Sequence, residues 1–304
     1  CHIFPGADLP GNVGPSLATI GAAQRPDEYL FNYIYDPRTM NPYSVMPPWG
    51  SHGIFTREEI NDIVAYLKTL SKPVEFKSAN DDPERRPIPK EERDNLDDVE
   101  NPGMFAVAEG ETLYAKSCVS CHKDKNKYKG WAVTMPKYEA KMKKMVGVEE
   151  FITRHTRATT KEEYPMEGKE NIALAVFMRY LANGERINVD IKDAKTKAAL
   201  ERGEELSKRK LGQLNFSCTD CHQIAARRWI RGQYLAGMES MVDHFPTYRT
   251  SRGEIWDIRK RFQWCNVAIR ANELPPDAAE YGELELYLMN RNNGLKMSVP
   301  GIRH

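Results

Sequence analysis

Hydrophobic residues recur with the period of an α-helix in three stretches of the chain. The first stretch begins with Thr56 and Glu59 in the positions of a capping box, and Phe55 and Ile60 are placed as a hydrophobic staple. Its apolar stripe is Ile60, Ile63, Val64, Leu67 and Leu70. The other two stripes are Ile172, Val176, Phe177, Tyr180 and Leu181, and Tyr281, Leu284, Tyr287 and Leu288. This spacing predicts three amphipathic helices.

Short signals indicate where these helices end and that they repeat. Asn-Gly pairs at 183–184 and 293–294 predict C-terminal stops for the second and third helices. A Tyr-Leu pair occurs in each helix, at 66–67, 180–181 and 287–288. Repetition at intervals of roughly a hundred residues is typical of duplicated small domains. We therefore predict a mainly α fold built from tandem domains.

A segment rich in charge and proline separates the first module from the others. Residues 72–103 crowd both residue classes together and cannot bury enough apolar surface to fold alone, so they are predicted to be a linker. The predicted domains are then 1–71, 104–190 and 191–304. No apolar run approaches the roughly 18 residues that crossing a bilayer requires, so no membrane span is predicted.

Charge excludes one broad class of function. The 304 residues include 44 Lys and Arg against 43 Asp and Glu, which gives a net charge of +1. A chain without basic excess is not built to bind nucleic acid by phosphate neutralisation. The 40% content of hydrophobic residues is that of an ordinary globular protein.

The cysteines provide the most specific chemistry. Two of the six cysteine positions begin a complete CxxCH motif, at Cys118, Cys121 and His122 and at Cys218, Cys221 and His222. In this motif two thioethers attach haem c and the histidine becomes the proximal iron ligand. A redox dithiol or a zinc site are the alternatives, but the first needs a βαβ setting and the second a much shorter spacing between the pairs.

A third haem is predicted at the beginning of the chain. Cys1 and His2 read as the second half of the same motif, although an accidental Cys-His pair is the alternative. The following residues have the order of a class I cytochrome c. Gly14, Pro15 and Leu17 predict the turn beneath the proximal histidine, and Met46 lies in a Met-Pro-Pro-Trp-Gly loop typical of a distal ligand. We therefore expect tandem class I cytochrome c-like haem domains.

Each iron needs a candidate for its distal position, because that ligand decides much of its chemistry. Met46 is preferred to Met40 and His52 in the first module. His155 is the candidate in the second, with Met166 as a rival. A solvated basic face around His155 is the alternative interpretation.

Cys265 is the candidate distal ligand or nucleophile in the third module. A structural disulfide is the alternative, and it is weakened because haem attachment uses four of the other cysteines and is expected to use Cys1. Arginines are in local excess between His222 and Arg270, and arginine forks suit oxyanions. Some of them are expected to form a solvated face or to pair with haem propionates.

These residues together resemble the SoxAX cytochromes of sulfur oxidation, with a SoxX-like module followed by a SoxA-like pair. The SoxX-like residues are Gly14, Pro15, Ser16, Leu17, Asn41, Pro42, Met46, Pro47 and the run 63–67. The SoxA-like residues are 218–222, 231–233, 245–249, 261–265, 284–288 and 300–303. The family usually has separate SoxX and SoxA chains, and its two-haem SoxA proteins have a cysteine where this chain has His155.

The resemblance implies a role for each matching residue. Cys265 takes the place of the family's active-site cysteine, an iron ligand that can hold a persulfide sulfur, and Arg261 matches an arginine one turn before it. Thiosulfate is expected against Arg261 and Arg249, with the haems at His122 and His2 passing electrons out. The implied reaction joins thiosulfate to a cysteine of a SoxYZ-type carrier and delivers two electrons to a small cytochrome c.

Two other functions remain open from the sequence. A thiosulfate dehydrogenase would couple two thiosulfates to tetrathionate at a similar haem. A multihaem electron carrier would use Cys265 only to tune a haem. Attachment of haem c takes place outside the cytoplasm, so a periplasmic location is expected.

Overall fold

The computed structural model describes residues 1–89 and 100–303. Its α-helices are α1 Asp27–Tyr35, α2 Arg57–Thr69, α3 Met104–Ser117, α4 Val148–Thr159, α5 Lys169–Tyr180, α6 Ala194–Lys208, α7 Ile258–Ala268 and α8 Ala279–Arg291. Its strands are β1 Lys137–Glu139, β2 Lys144–Val146, β3 Trp229–Ile230, β4 Gln233–Tyr234, β5 Thr247–Arg249, β6 Glu254–Trp256 and β7 Gly301–Arg303. The predicted mainly α class is confirmed, and α2, α5 and α8 are the three predicted helices. Within these described ranges, no helix has the length and apolar character needed to cross a membrane.

The described residues divide into two compact units. The first contains 1–89, 208–237 and 268–272, and the second contains 100–207, 238–267 and 273–303. These units combine segments from different predicted domains, so the domain boundaries at 71, 103 and 190 stay a prediction. Residues 90–99 of the predicted linker lie outside the described residues.

The first unit has a small core between α1 and α2. Its buried residues are Leu30, Phe31, Ile34, Ile60, Val64, Leu67 and Leu70. The predicted capping box is present, because the Glu59 N–H donates to Thr56 Oγ1 at 3.2 Å and the Thr56 N–H donates to Glu59 Oε2 at 2.7 Å. This box satisfies backbone donors at the helix start and fixes where the apolar stripe begins.

The described part of the predicted linker packs on the first unit. Arg86 donates to the carbonyl oxygen of Arg231 at 2.8 Å, and its guanidinium lies 4.7 Å from the ring centre of Trp229 in β3. Asn12 donates from Nδ2 to Glu84 Oε1 at 3.1 Å. The charged side chains of this segment are therefore used in specific contacts.

Two glycines permit close helix crossings in the second unit. A Cβ atom on Gly110 of α3 would lie 2.1 Å from the carbonyl oxygen of Ala173 in α5. A Cβ atom on Gly203 of α6 would lie 2.2 Å from the carbonyl oxygen of Glu283 in α8. Such approaches are far inside van der Waals contact, so each crossing requires a residue without a side chain.

The second unit contains the same supersecondary structure twice. The antiparallel hairpin β1–β2 is followed by α4 and α5, and the antiparallel hairpin β5–β6 is followed by α7 and α8. Each element of the second copy begins 110 residues after its counterpart. Only the second hairpin has a third strand among the described residues, because β7 pairs with β5 in parallel.

A network of buried charged side chains joins four helices of this unit. Arg259 on α7 is 1% exposed, and it donates to Glu285 of α8 and to Glu150 of α4, both at 3.0 Å. Arg179 of α5 lies 3.4 Å from Glu285 and 3.6 Å from Glu149 of α4. Removing one partner would leave an uncompensated buried charge, which costs about 3–5 kcal/mol. The network therefore fixes α4, α5, α7 and α8 in one arrangement.

Asp257 adds a buried carboxyl group with an unusual pKa. Its Oδ1 accepts a hydrogen bond from the backbone N–H of Lys260 at 2.7 Å, and its Oδ2 is buried without a partner. Burial and the nearby Glu149 raise the pKa of Asp257 to about 7. Four carboxyl groups but only two guanidiniums are buried here. A proton on Asp257 removes one negative charge and so lowers the free energy cost of burying the excess.

Replacing Gly110 by alanine should destabilise the protein. The added methyl group overlaps the carbonyl oxygen of Ala173, and overpacking of this kind lowers the free energy of unfolding by about 1–3 kcal/mol. Chemical denaturation followed by circular dichroism measures the change. Gly130→Ala is the matched control, because a Cβ atom there meets no atom within 4 Å. Equal stability of the two variants would contradict the close crossing.

The stability of the protein should depend on pH through Asp257. Its folded pKa is raised above the unfolded value, so the favourable proton on Asp257 is lost as pH rises towards about 7. Asp257→Asn keeps a capping oxygen and removes the ionisation. Its melting temperature should therefore rise relative to the natural protein between pH 5 and pH 8.

Asp193→Asn is the control for this pH series. Hydrogen bonds from Thr196 lower the pKa of Asp193, so this carboxyl group stays ionised throughout the range. Its variant should differ from the natural protein by a constant amount between pH 5 and pH 8. A constant difference for Asp257→Asn as well would contradict a proton on Asp257.

Candidate haem ligands and active-site residues

His2 lies in the first unit, and a hydrogen bond from one ring nitrogen fixes the orientation of its imidazole. Its Nδ1–H donates to the carbonyl oxygen of Pro15 at 2.7 Å. A Cβ atom on Gly14 would lie 2.2 Å from His2 Cε1, so the glycine lets the backbone pass directly behind the ring. This is the predicted turn beneath the proximal histidine. The hydrogen bond leaves Nε2 as the nitrogen available to a metal.

The three distal candidates of the first unit differ in their surroundings. Met46 packs against the hydrophobic cluster between α1 and α2. Met40 is 44% exposed, and His52 is joined to Gln213 by a hydrogen bond of 2.9 Å between Nδ1 and the carbonyl oxygen. Of the three, Met46 has the apolar surroundings that a haem edge requires.

The second motif opens into a pocket of the second unit. Cys118 and His122 follow α3, and the His122 N–H donates to the Cys118 carbonyl oxygen at 2.8 Å. The pocket has about 650 Å³ of space free of protein atoms, including its open mouth. Its lining residues are Tyr114, Cys118, His122, Tyr128, Trp131, Phe151, Ile152, His155, Thr156, Leu174 and Met178. This mostly apolar lining is typical of a cofactor site.

Two imidazoles face each other in this pocket. The ring centres of His122 and His155 are 5.8 Å apart. Allowing about 2 Å for each metal–nitrogen bond, two imidazoles that share one metal ion stand about 6 Å apart between ring centres. Burial is the main cause that lowers the pKa of His155, and the neighbouring His122 lowers it further. A lowered pKa favours the neutral imidazole, which is the form that binds metals. These residues therefore fit a haem with two histidine ligands, and Met166 is not among those lining the pocket.

Other side chains orient these two histidines. His122 Nδ1 lies 2.5 Å from the Tyr128 hydroxyl oxygen. Phe151 stacks on the His155 ring, with ring centres 5.1 Å apart and planes inclined by 12°. Both contacts limit rotation of the two imidazole rings that line the pocket.

The third motif lies in the first unit, on a short turn formed by Asp220–Ile224. The buried carboxylate of Asp220 accepts from the N–H of Ser217 at 2.7 Å and from Lys210 Nζ at 2.8 Å. His222 donates from Nδ1–H to the carbonyl oxygen of Ala236 at 2.8 Å. As for His2, this hydrogen bond engages Nδ1 of the ring with a backbone carbonyl oxygen.

Cys265 lies on α7 of the second unit, close to two arginines named from the sequence. The six cysteines form no disulfide with one another, so Cys265 is not in a disulfide. Arg261 precedes it by one helical turn, and Arg249 ends β5. Burial, helped by Arg261, lowers the pKa of Arg249 to about 10 although the neighbouring Cys265 acts in the opposite direction. Arg249 is 7% exposed and its Nε has no hydrogen-bond partner.

The duplication relates this site to the histidine pocket. Cys265 occupies in α7 the position that His155 occupies in α4, eight residues along each helix. Phe151 likewise corresponds to Arg261, and Glu139 corresponds to Arg249. The first copy therefore has an imidazole with an aromatic neighbour where the second has a thiol with two cations.

Sequence reasoning missed this correspondence. His155 follows His122 by 33 residues whereas Cys265 follows His222 by 43, so distances from the haem motifs differ between the copies. The sequence does contain a signal for the duplication, which is a constant interval of 110 residues. It separates Pro136, Tyr138 and His155 from their counterparts Pro246, Tyr248 and Cys265.

Comparison with known proteins identifies the family. The model of the SoxA/TsdA cytochrome c domain matches residues 103–187. The L-cysteine S-thiosulfotransferase subunit SoxA of Pseudaminobacter salicylatoxidans is 30% identical over 216 residues, which cover 68% of this chain and 75% of that protein. The chain belongs to the SoxA family. The SoxA subunit of Paracoccus pantotrophus is 27% identical over 216 residues, covering 68% of this chain and 73% of that protein.

A solved structure agrees with this SoxA membership. The crystal structure of SoxXA from P. pantotrophus matches with a TM-score of 0.63 and 27% identity, covering 68% of this chain and 81% of that chain. A SoxA-family cytochrome c domain binds haem c, so the prediction that the cofactor is haem c is confirmed. The number of haems and the SoxX-like nature of residues 1–71 stay predictions.

Proposed function

We propose that this SoxA-family chain is an enzyme that oxidatively conjugates thiosulfate to a cysteine of a SoxYZ-type carrier. The observation that carries the proposal is the group formed by Cys265, Arg261 and Arg249. A free thiol lies near a nearly buried guanidinium whose Nε has no partner within the protein. An oxyanion beside the thiol would satisfy that donor and compensate the buried charge.

Three haems are proposed, each with a named set of residues. Cys1, His2 and Met46 would hold the first, and Cys118, Cys121, His122 and His155 the second. Cys218, Cys221, His222 and Cys265 would hold the third, an assignment argued from the sequence pattern and the family resemblance. Haem iron supplies one-electron acceptors for the oxidation.

The residues of this chain bind and orient the sulfur anion. Arg261 and Arg249 would hold the sulfonate oxygens of thiosulfate and direct its outer sulfur towards Cys265. In the overall reaction the carrier thiol loses its proton, its sulfur bonds to that outer sulfur, and two electrons leave. A small cytochrome c is the proposed final acceptor, and the periplasm is the proposed location.

Thiosulfate dehydrogenase is the second candidate, because the matching domain model covers both SoxA and TsdA proteins. The two reactions differ in their need for the carrier. Tetrathionate formed from thiosulfate without carrier protein would support the second candidate. Modification of the carrier cysteine, detected by mass spectrometry, supports the first.

Cys265→Met should abolish thiosulfate turnover while the haem content and the reduction of small cytochrome c by pre-reduced enzyme are kept. Methionine can still bind iron but cannot form a thiolate or a persulfide. Thiosulfate-dependent cytochrome reduction with carrier present measures the loss. Val267→Met is the matched control, because Val267 is 49% exposed on the same helix. Full turnover in Cys265→Met would contradict the catalytic role proposed for Cys265.

Tyr128→Phe should raise the midpoint potential of the haem attached at Cys118 and Cys121. With Nε2 on iron, His122 Nδ1–H donates to the Tyr128 hydroxyl, and losing this acceptor makes the imidazole a poorer electron donor. Spectroelectrochemical titration measures the shift. Tyr138→Phe is the control, because that tyrosine packs against the same hydrophobic core away from His122. Equal potentials in both variants would contradict the tuning role.

A further inference from the structure

The last strand of the described chain places a second arginine beside Arg249. Strand β7 pairs in parallel with β5, and Arg303 is the register partner of Arg249. Residues directly opposite on neighbouring strands point to the same face of a sheet and lie about 5 Å apart. The side chains of Arg249 and Arg303 therefore lie on one face of this sheet, where Arg303 Nη1 donates to the carbonyl oxygen of Ile302 at 2.7 Å. Arg249 is also close enough to Cys265 for the two to interact electrostatically.

The neighbourhood of Arg249 is strongly cationic. Arg252 and Arg261 also lie close enough to act on its charge, as does Arg303. Within the described residues, Arg249, Arg252 and Arg261 are in no ion pair. Glu254 is the register partner of Arg249 on the other neighbouring strand, but the hydrogen bond recorded for its carboxylate is from Trp256 Nε1 at 3.1 Å.

Trp256 faces part of this charge, because the Arg249 and Arg252 guanidiniums lie 5.9 and 5.8 Å from its ring centre, and the concentration of like charge favours binding of an anion. Arg249 is 7% exposed, and its Nε has no hydrogen-bond partner. A buried donor without an acceptor costs free energy, and the repulsion between neighbouring guanidiniums adds to that cost. A bound oxyanion removes both penalties at once, because each of its oxygens accepts from more than one N–H group.

The backbone fixes Arg303 before any ligand binds. The carbonyl oxygen of Arg303 accepts from the N–H of Thr250 at 2.8 Å, and the N–H of Gly301 donates to the carbonyl oxygen of His244 at 3.0 Å. A Cβ atom on Gly301 would lie 2.8 Å from the carbonyl oxygen of His244, so the strand approaches its neighbour closely. A fixed strand reduces the entropy lost when a ligand is bound.

The first copy of the duplicated unit lacks both parts of this arrangement. Its hairpin β1–β2 has two strands in the part of the chain that the structure describes. It also has Glu139 where the second copy has Arg249. The paired arginines are therefore specific to the copy that contains Cys265.

We propose that Arg303 and Arg249 together form an oxyanion subsite that binds the sulfonate group of the sulfur substrate beside Cys265. The identity of the substrate as thiosulfate rests on the proposed function, whereas the subsite itself rests on the sheet geometry. A carboxylate of a haem propionate has related chemistry, and the experiment separates these two sources.

The test uses the haem-loaded full chain with Arg303→Gln and Arg303→Lys. We expect Arg303→Gln to raise the KM for thiosulfate on the order of tenfold or more, because a charge-assisted hydrogen bond is lost. Inhibition by sulfate, which has similar oxygens and no outer sulfur, should weaken by a similar factor. Arg303→Lys should recover part of the loss, and all haem potentials should stay unchanged.

Arg186→Gln is the matched control, because it removes one arginine charge elsewhere in the same unit, where the side chain bonds to the Gly294 carbonyl oxygen. Unchanged KM and sulfate inhibition in Arg303→Gln would overturn the proposal. So would a shift of a haem potential with KM unchanged, because Arg303 would then bind a propionate.

Calorimetric titration with thiosulfate separates the subsite from the proposed function. Binding by the natural protein that is weakened in Arg303→Gln supports the subsite even if no carrier is modified, and in that case the proposed function alone fails. Equal binding by both proteins, each with unchanged circular dichroism, contradicts the subsite even if the carrier is modified.

Discussion

The guanidinium of Arg259 is the contact on which the interior of the second unit depends. It is 1% exposed and is joined to Glu150 of α4 and Glu285 of α8. Since α4 contains His155 and α7 contains Cys265, one buried cation fixes the spacing between the two helices with proposed distal ligands. Apolar side chains could fill the same volume, but they would not fix the positions of the helices by directed hydrogen bonds.

The fold could be predicted from the sequence where a periodic signal was long enough. The apolar stripe and the capping box at Thr56 and Glu59 specify α2 locally, and the Asn-Gly pairs gave the ends of the later helices. Strands of three residues, such as β5 and β7, are too short for an alternating pattern to stand out. Their pairing depends on contacts between distant segments, which no local rule contains.

The candidate sites were predictable to the extent that they consist of motifs. The proximal histidines follow directly from their attachment cysteines, and Cys265 followed from counting the remaining thiols. The contacts of Tyr128 with His122 and of Arg303 with Arg249 could not be found in this way, because neither pair is adjacent in the sequence or linked by a motif spacing. Their importance comes from partners that only tertiary structure brings near.

The two copies within the second unit keep one order of strands and helices and differ in most of their side chains. At three corresponding positions the first copy has Glu139, Phe151 and His155, whereas the second copy has Arg249, Arg261 and Cys265. The same order of strands and helices thus supports two different sets of side chains, so the backbone alone does not decide which chemistry each copy can perform.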